Sequence, residues 1–404
     1  SMKPFDKYIF FLIAGFILLL ISSCYEPDVE EVLRPGAVIQ DDKYYLGTSL
    51  SYASYLERNA TDGQYFKNEN GERESPFESV KKHGGNIVRL SVAFGPYTSD
   101  KAGNVSYAID YHVFERVKED FKKAKDAGLE VFLSILYEKG LKSEEWLKIP
   151  DGPEMEEAIY DYGKDILEKL AGENLFPTFV AIGGDYDFVA SNGLFMCRLG
   201  DNDAERMVTY MNAGYRAVRD FAAKYDKKIK TVFHASKADD VVRLLGRFYT
   251  DEYALDFDVL GINYVFDTGH SAYSTLGELS VYMKLIYEKE FMVVGASFPY
   301  TNVNADKVFN IYSRMDMITY GSTYSPEVQA RMFVDFTIDV LKAGGLGVIA
   351  EGGDFLGCEL WFAGNPWNKG SNWDNRTFWD KDYRLHVGID WMKYDYKPFV
   401  KRNY

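Results

Sequence analysis

Two carboxylates near the middle of the chain, Asp185 and Asp187, are close enough in sequence to act in acid–base catalysis. They follow the apolar run Phe179 to Ile182 after two glycines, so the run reads as a short buried strand that opens into a loop. In a barrel of parallel strands, catalytic groups sit at the carboxyl ends of the strands. The pattern therefore predicts a general acid in this loop, with Asp185 as the first candidate.

A buried cation is the second group of interest. Arg89 lies inside an apolar run with alternating hydrophobic neighbours. Burying an isolated charge is costly, so a guanidinium in a strand needs a partner. Arg89 either orients a carboxylate at the barrel mouth or forms a structural ion pair, and we favour the first interpretation.

Aromatic and amide side chains crowd the C-terminal part of the chain, where five tryptophans lie between residues 361 and 391. Flat rings stack on the apolar faces of sugars, while amides bind hydroxyls. Trp361 and Trp367 follow the last predicted strand most closely, and we predict that they form a sugar platform. The alternative is that half of these tryptophans pack the last helix against the barrel.

Several classes of function are disfavoured. The formal net charge of −15 argues against a nucleic-acid partner, because affinity for nucleic acid comes mostly from Lys and Arg. The five histidines are not spaced as metal pairs, and the chain has no H-E-x-x-H, G-x-S-x-G or Walker motif. We expect no metal and no cofactor, and neutral glycans remain as candidate partners.

The N-terminus reads as a targeting segment. Residues 1–23 combine two lysines with an apolar run that ends in Ser22-Ser23-Cys24, which resembles a bacterial lipobox. This predicts a signal peptide, lipidation of Cys24, and an acidic tether over residues 24–43. The expected location is the outer membrane, lipid-anchored and at the cell surface; a single transmembrane anchor is the alternative.

From Tyr44 onward, short apolar runs alternate with amphipathic helical stretches, as in repeated βα units. The predicted strands are Leu46–Leu50, Asn86–Val92, Glu130–Leu136, Phe179–Ile182, Thr231–Phe233, Val259–Ile262, Met292–Val294 and Gly347–Ala350. Eight strands with intervening helices predict an α/β fold, a single (β/α)8 TIM barrel over residues 44–404. A doubly wound sheet is the alternative, disfavoured because no G-x-G-x-x-G follows the first strand.

Two cysteines follow predicted strands of this barrel. Cys197 comes after the fourth strand and Cys358 after the eighth. An exported protein tolerates disulfides. A bridge across the barrel mouth and two unpaired, buried thiols are the two alternatives.

The order of the strand motifs resembles that of family 53 glycoside hydrolases, the endo-β-1,4-galactanases. The resemblance is carried by the segments 46–51, 86–97, 256–264, 324–330 and 371–375, of which Asp256 to Tyr264 is close to the family's D-F-D-V-I-G-x-S-Y. It implies a clan A glycoside hydrolase-like barrel, retaining chemistry, and β-linked galactan as the substrate class.

The catalytic positions implied by the resemblance hold other residues. The family's acid/base Glu, in V-Q-V-G-N-E, corresponds to Asp185, and its nucleophile Glu, in V-V-E-T-S, corresponds to Gly295. The family's first-strand Asp and second-strand Trp are replaced by Ser49 and Ala93. Glycine cannot attack a sugar, and an Asp in place of a Glu withdraws its carboxylate by roughly one bond length, a displacement that can cost about 10²-fold in rate.

We therefore predict a catalytically degenerate lipoprotein whose barrel mouth binds a glycan, or docks outer-membrane proteins, without cutting. The residues expected to contact the sugar are Arg89, Asp187, Asn263, Tyr264, Glu351, Trp361 and Trp367. An active hydrolase is the alternative, in which Asp185 works with a relocated carboxylate from Asp187, Glu351 or Asp354 at the larger spacing of inverting enzymes. A structural subunit of an outer-membrane assembly is the third.

Overall fold

The structure, a computed structural model, describes residues 43–59, 64–93, 97–99, 107–109, 112–137, 149–184, 195, 203–236, 238, 241, 245–250, 252–265, 273–310, 323–357, 360 and 369–400. The strands are β1 Tyr45–Ser49, β2 Ile87–Val92, β3 Tyr97–Ser99, β4 Tyr107–Ile109, β5 Glu130–Ile135, β6 Phe179–Ile182, β7 Lys230–Ala235, β8 Val259–Val265, β9 Glu290–Ser297 and β10 Gly347–Ala350. The α-helices are α1 Ala53–Asn59, α2 Pro76–Lys82, α3 Phe114–Asp126, α4 Pro153–Ala171, α5 Ala204–Lys224, α6 Tyr273–Tyr287 and α7 Pro326–Lys342.

Eight parallel strands close into a barrel in the order β1-β10-β9-β8-β7-β6-β5-β2. The two remaining strands, β3 and β4, form an antiparallel hairpin between β2 and α3. The predicted (β/α)8 barrel is confirmed, and the open doubly wound sheet is wrong because β1 pairs with both β2 and β10.

Three strands run further at their carboxyl ends than the sequence predicted, and all three extensions bear on function. β7 continues to Ala235, which brings His234 into the strand. β9 spans Glu290–Ser297, which brings Gly295 inside the strand, and β8 continues to Val265, which brings Asn263 into the ladder. The two residues are paired across the β8–β9 ladder. The side chain of Asn263 therefore lies beside Gly295 at the carboxyl end of the barrel.

The core has an inner and an outer layer, because successive side chains of a strand point to opposite faces. The barrel interior is filled by Ile87, Phe132, Phe179, Ala181, Val232, Val259, Met292, Val294, Leu346 and Ile349. The alternating positions, such as Val88, Leu260 and Val348, pack outward against the helices. A side chain two or four residues beyond an interior residue thus faces the barrel mouth.

The anchor predicted from residues 1–43 lies outside the described residues, apart from Lys43. In the ranges that the structure does describe, no helix has the length and apolar character needed to cross a membrane.

Candidate functional site

An ion pair crosses the barrel mouth. Arg89 of β2 binds Oε2 of Glu351, which directly follows β10, and the same guanidinium donates to the carbonyl oxygen of Val294 in β9. The Arg89 side chain is 8% exposed and the Glu351 side chain 17% exposed. The cation is thus held below the surface, while the Glu351 side chain keeps a small exposed fraction.

The space beside Gly295 is occupied by an amide. A Cβ at residue 295 would lie 2.2 Å from Oδ1 of Asn263 and 3.4 Å from Oε2 of Glu351. Asn263 Oδ1 is 2.7 Å from Nε2 of His234 in β7. An amide oxygen only accepts hydrogen bonds, so Nε2 carries the hydrogen and donates a hydrogen bond to Oδ1 of Asn263. Asn263 is therefore held where a side chain at residue 295 would begin.

Strand phase and two irregularities bring these side chains together. Arg89, His234 and Glu351 each lie two residues beyond an interior residue of their strand. The β8–β9 register shifts between Ile262 and Asn263, and a shift in the β9–β10 register brings the amide of Glu351 to the carbonyl oxygen of Ala296 at 2.7 Å. Bulges re-aim side chains at barrel rims. The cluster Arg89, His234, Asn263, Gly295 and Glu351 is called the mouth cluster below.

Tyr264 does not belong to the mouth cluster. Its ring lies 4.7 Å from that of Phe336 in α7, and the residue is 4% exposed. The expectation that Tyr264 contacts a sugar is corrected, because the alternation of β8 sends Asn263 inward and Tyr264 outward into the helix layer.

Asp354 is a structural carboxylate. Its Oδ2 accepts hydrogen bonds from the backbone N–H groups of Tyr52 and Ala53, both at 2.8 Å, where α1 begins. The residue is fully buried, and burial raises its pKa to about 7. As the cap of a helix it has no access to the mouth, so the expectation that it could serve as a relocated catalytic acid is corrected.

The late S-N-W-D-N segment holds loops in place. Asp374 accepts hydrogen bonds from the side-chain amide of Asn310 and from the N–H of Ala305 at 2.9 Å, and burial raises its pKa to about 6.

Trp379 and Trp391 are fully buried. The packing role considered for the tryptophans between residues 361 and 391 therefore applies to Trp379 and Trp391.

Seven residues singled out in the sequence lie outside the described residues: Cys24, Asp185, Asp187, Cys197, Cys358, Trp361 and Trp367. What the structure does place is the end of β6 at Ile182, on the same edge of the barrel as Glu351. The roles predicted for these seven residues stay predictions.

Sequence reasoning missed His234. Its partner Asn263 lies 29 residues further along the chain, so no local spacing links them. The available signal was phase: His234 stands two residues after Val232, an interior residue of β7. That phase predicts an inward side chain, but the partner becomes visible only with the β8 register.

Comparisons with known proteins agree with the barrel fold and with the resemblance to family 53 glycoside hydrolases. A sequence model described as Glycosyl hydrolase family 53 matches residues 45–392. The chain is similar to an arabinogalactan endo-beta-1,4-galactanase of Cellvibrio japonicus, with 25% identity over 350 residues that cover 85% of this chain and 88% of that protein. Among solved structures, a family 53 catalytic domain of Ignisphaera aggregans superposes with a TM-score of 0.69 at 21% identity, covering 89% of this chain and 99% of that chain. A fungal beta-1,4-galactanase structure gives 0.65 at 18% identity, covering 86% and 98%.

Proposed function

Because this chain belongs to glycosyl hydrolase family 53, we propose that its barrel mouth binds a β-1,4-galactan-like polysaccharide without cleaving it by the retaining chemistry expected of the family. Retaining hydrolysis needs two carboxyl groups about 5–5.5 Å apart, one of which attacks the anomeric carbon. At the position that corresponds to the attacking Glu, this chain has Gly295. A glycine has no group that can form the glycosyl–enzyme bond.

The single observation that carries the proposal is the contact between Asn263 and the Cβ position of residue 295. The 2.2 Å separation means that the space is filled by another side chain. In the family motif that this strand resembles, D-F-D-V-I-G-x-S-Y, a smaller Ser stands where this chain has Asn263. A larger side chain on β8 thus accompanies the missing side chain on β9, which favours binding over turnover.

The setting we propose is the cell surface. Lipidation of Cys24, followed by the acidic tether, would hold the barrel at the outer membrane, where a bound polysaccharide is kept near other surface components. Binding of neutral sugars needs only stacking and hydrogen bonds to hydroxyls, not a nucleophile.

The experiment is a paired measurement on the purified chain. Affinity electrophoresis in gels containing β-1,4-galactan should retard the protein, and a reducing-end assay on the same galactan should show no release. Reducing ends released by the wild type and abolished by Asp185→Asn would overturn the non-catalytic proposal. No retardation by galactan or arabinogalactan, together with co-purification of a membrane protein, would favour a structural subunit of an outer-membrane assembly.

One observation favours a second candidate, an active hydrolase with a relocated carboxylate. Oε2 of Glu351 lies 3.4 Å from the Cβ position of residue 295 and is bound by Arg89. Inverting enzymes tolerate carboxyl groups about 6.5–9.5 Å apart. This candidate predicts that galactan is cleaved with inversion at the anomeric carbon, observed by NMR of the first products, and that Glu351→Gln and Asp185→Asn each abolish cleavage.

A further inference from the structure

We infer that Glu351, fixed by Arg89, is the residue that selects the ligand: its carboxylate accepts hydrogen bonds from free hydroxyls of a neutral sugar unit and excludes uronic-acid polymers from the mouth. The inference rests on the proposed function and deepens it, because it names the recognising group and the chemical class of glycan that this group accepts.

The first step is the fixed position of the carboxylate. The Arg89 guanidinium bridges Glu351 and the carbonyl oxygen of Val294, so β10 and β9 are both tied to one cation on β2. The backbone N–H of Glu351 also donates to the carbonyl oxygen of Ala296 at 2.7 Å. Main chain and side chain are therefore both held before a ligand arrives, and a preorganised group loses little entropy on binding.

The second step is acceptor capacity. A carboxylate has two oxygens with about four lone-pair sites and donates nothing when ionised. Arg89 engages Oε2 of Glu351, and the side chain is 17% exposed, so acceptor sites remain for a ligand. A ligand that fits must bring hydrogen-bond donors, and sugar hydroxyls are such donors.

The third step is charge. Arg89 is buried beneath the carboxylate and already paired, so the mouth cluster offers no excess positive charge to an anionic sugar. The whole chain carries a formal net charge of −15. A polymer of uronic acids would bring carboxylates towards Glu351, and like charges in a partly desolvated site repel. The site therefore fits a neutral galactan and disfavours its uronic-acid counterpart.

The experiment compares three polysaccharides by affinity electrophoresis or calorimetry: β-1,4-galactan, O-methylated β-1,4-galactan, and β-1,4-galactan whose C6 alcohols have been oxidised to carboxylates, a uronate that keeps the β-1,4 linkage. The wild type should bind the first and neither of the others, because methylation removes the donors and the uronate adds charge. Glu351→Gln, which replaces a charged acceptor by a neutral amide, should weaken galactan binding by about 10-fold or more. Glu252→Gln, a change on an exposed residue in the loop leading into the amino end of β8, is the matched control and should bind like the wild type.

Glu351→Gln leaves the Arg89 charge without its anion, so folding is checked by circular dichroism, and a second variant replaces both partners. Arg89→Met with Glu351→Leu removes the pair in favour of apolar packing, which is often tolerated in a core, and should fold yet lose galactan binding. Equal galactan affinity in the wild type and in folded Glu351→Gln, or tight wild-type binding of O-methylated galactan, overturns the inference while the proposed function stands. A wild type that binds none of the three overturns both.

Discussion

Gly295→Ala should destabilise the fold, because the added methyl would lie 2.2 Å from Oδ1 and 2.9 Å from Cγ of Asn263. Relief requires that Asn263 turns away, which breaks its 2.7 Å hydrogen bond to His234. Overpacking a core typically costs about 1–3 kcal/mol, and a lost hydrogen bond about 0.5–1.5 kcal/mol. Since turning Asn263 away relieves part of the clash, we expect a total loss of about 1–3 kcal/mol in the free energy of unfolding.

The assay is equilibrium denaturation, with the midpoint and the slope fitted together so that only changes at constant slope are read as stability. Gly172→Ala is the matched control: residue 172 has helical dihedral angles, and a Cβ there meets nothing nearer than 3.4 Å. It should leave stability unchanged or raise it by up to about 1 kcal/mol. A Gly295→Ala protein as stable as the Gly172→Ala protein would refute the reasoning.

The clash itself is isolated by a double-mutant cycle. Asn263→Ser removes the obstructing amide and, with it, the hydrogen bond to His234. The double variant Asn263→Ser with Gly295→Ala should be more stable than the sum of the two single losses predicts, by about 1 kcal/mol or more. Strict additivity would show that Asn263 is not the group that the added methyl meets.

Three further outcomes follow from the charges of the fold. Burial raises the pKa of Asp354 to about 7 from 3.8, so its contribution to stability is complete below pH 3.8 and is lost as pH rises through 7. The melting temperature of Asp354→Asn should therefore decline less than that of the wild type between about pH 4 and 7. Burial lowers the pKa of His386 to about 4 from 6.5, so its contribution to stability is present above pH 6.5 and is lost as pH falls through 4. Between pH 6.5 and 4, the melting temperature of His386→Gln should fall less steeply than that of the wild type. Arg219 binds Asp256 and Asp258 through a forked guanidinium, and Arg219→Lys should lower the denaturation free energy by about 1 kcal/mol, whereas Lys381→Ala, in an exposed pair, should change it by less than about 0.5 kcal/mol.

The barrel could be predicted from sequence because each βα unit has a local sequence pattern. Short apolar runs that alternate with amphipathic helical stretches are short-range signals. All eight predicted strands begin within two residues of the observed ones. Strands β7, β8 and β9 were predicted to end too early. At the mouth the side chains turn polar, so hydrophobicity no longer marks the strand although the ladder continues to Val265 and Ser297.

The mouth cluster could be predicted only in part. A buried Arg89 predicted an anionic partner, but the sequence did not show which one. Four barrel strands separate β2 from β9 in the sequence. Only closure of the barrel brings Arg89 next to Glu351 and Val294. The cap of α1 is similar, because Asp354 is 302 residues away from the Tyr52 amide that it binds. Tyr264 was misjudged since its direction depends on the phase of β8 relative to the barrel axis.

The contact between Asn263 and residue 295 also limits the order in which substitutions could place a carboxylate at residue 295. A glutamate introduced at residue 295 by one substitution would clash with the Asn263 amide and carry the full steric cost before any benefit. A path that first exchanges Asn263 for a smaller residue avoids the clash, yet that first step gives up the hydrogen bond to His234 and brings no new activity. Asn263 and Gly295 therefore constrain each other. A side chain at residue 295 requires that Asn263 is replaced first, and replacing Asn263 alone only removes a hydrogen bond. No single substitution at either residue places a carboxylate there without a loss of stability.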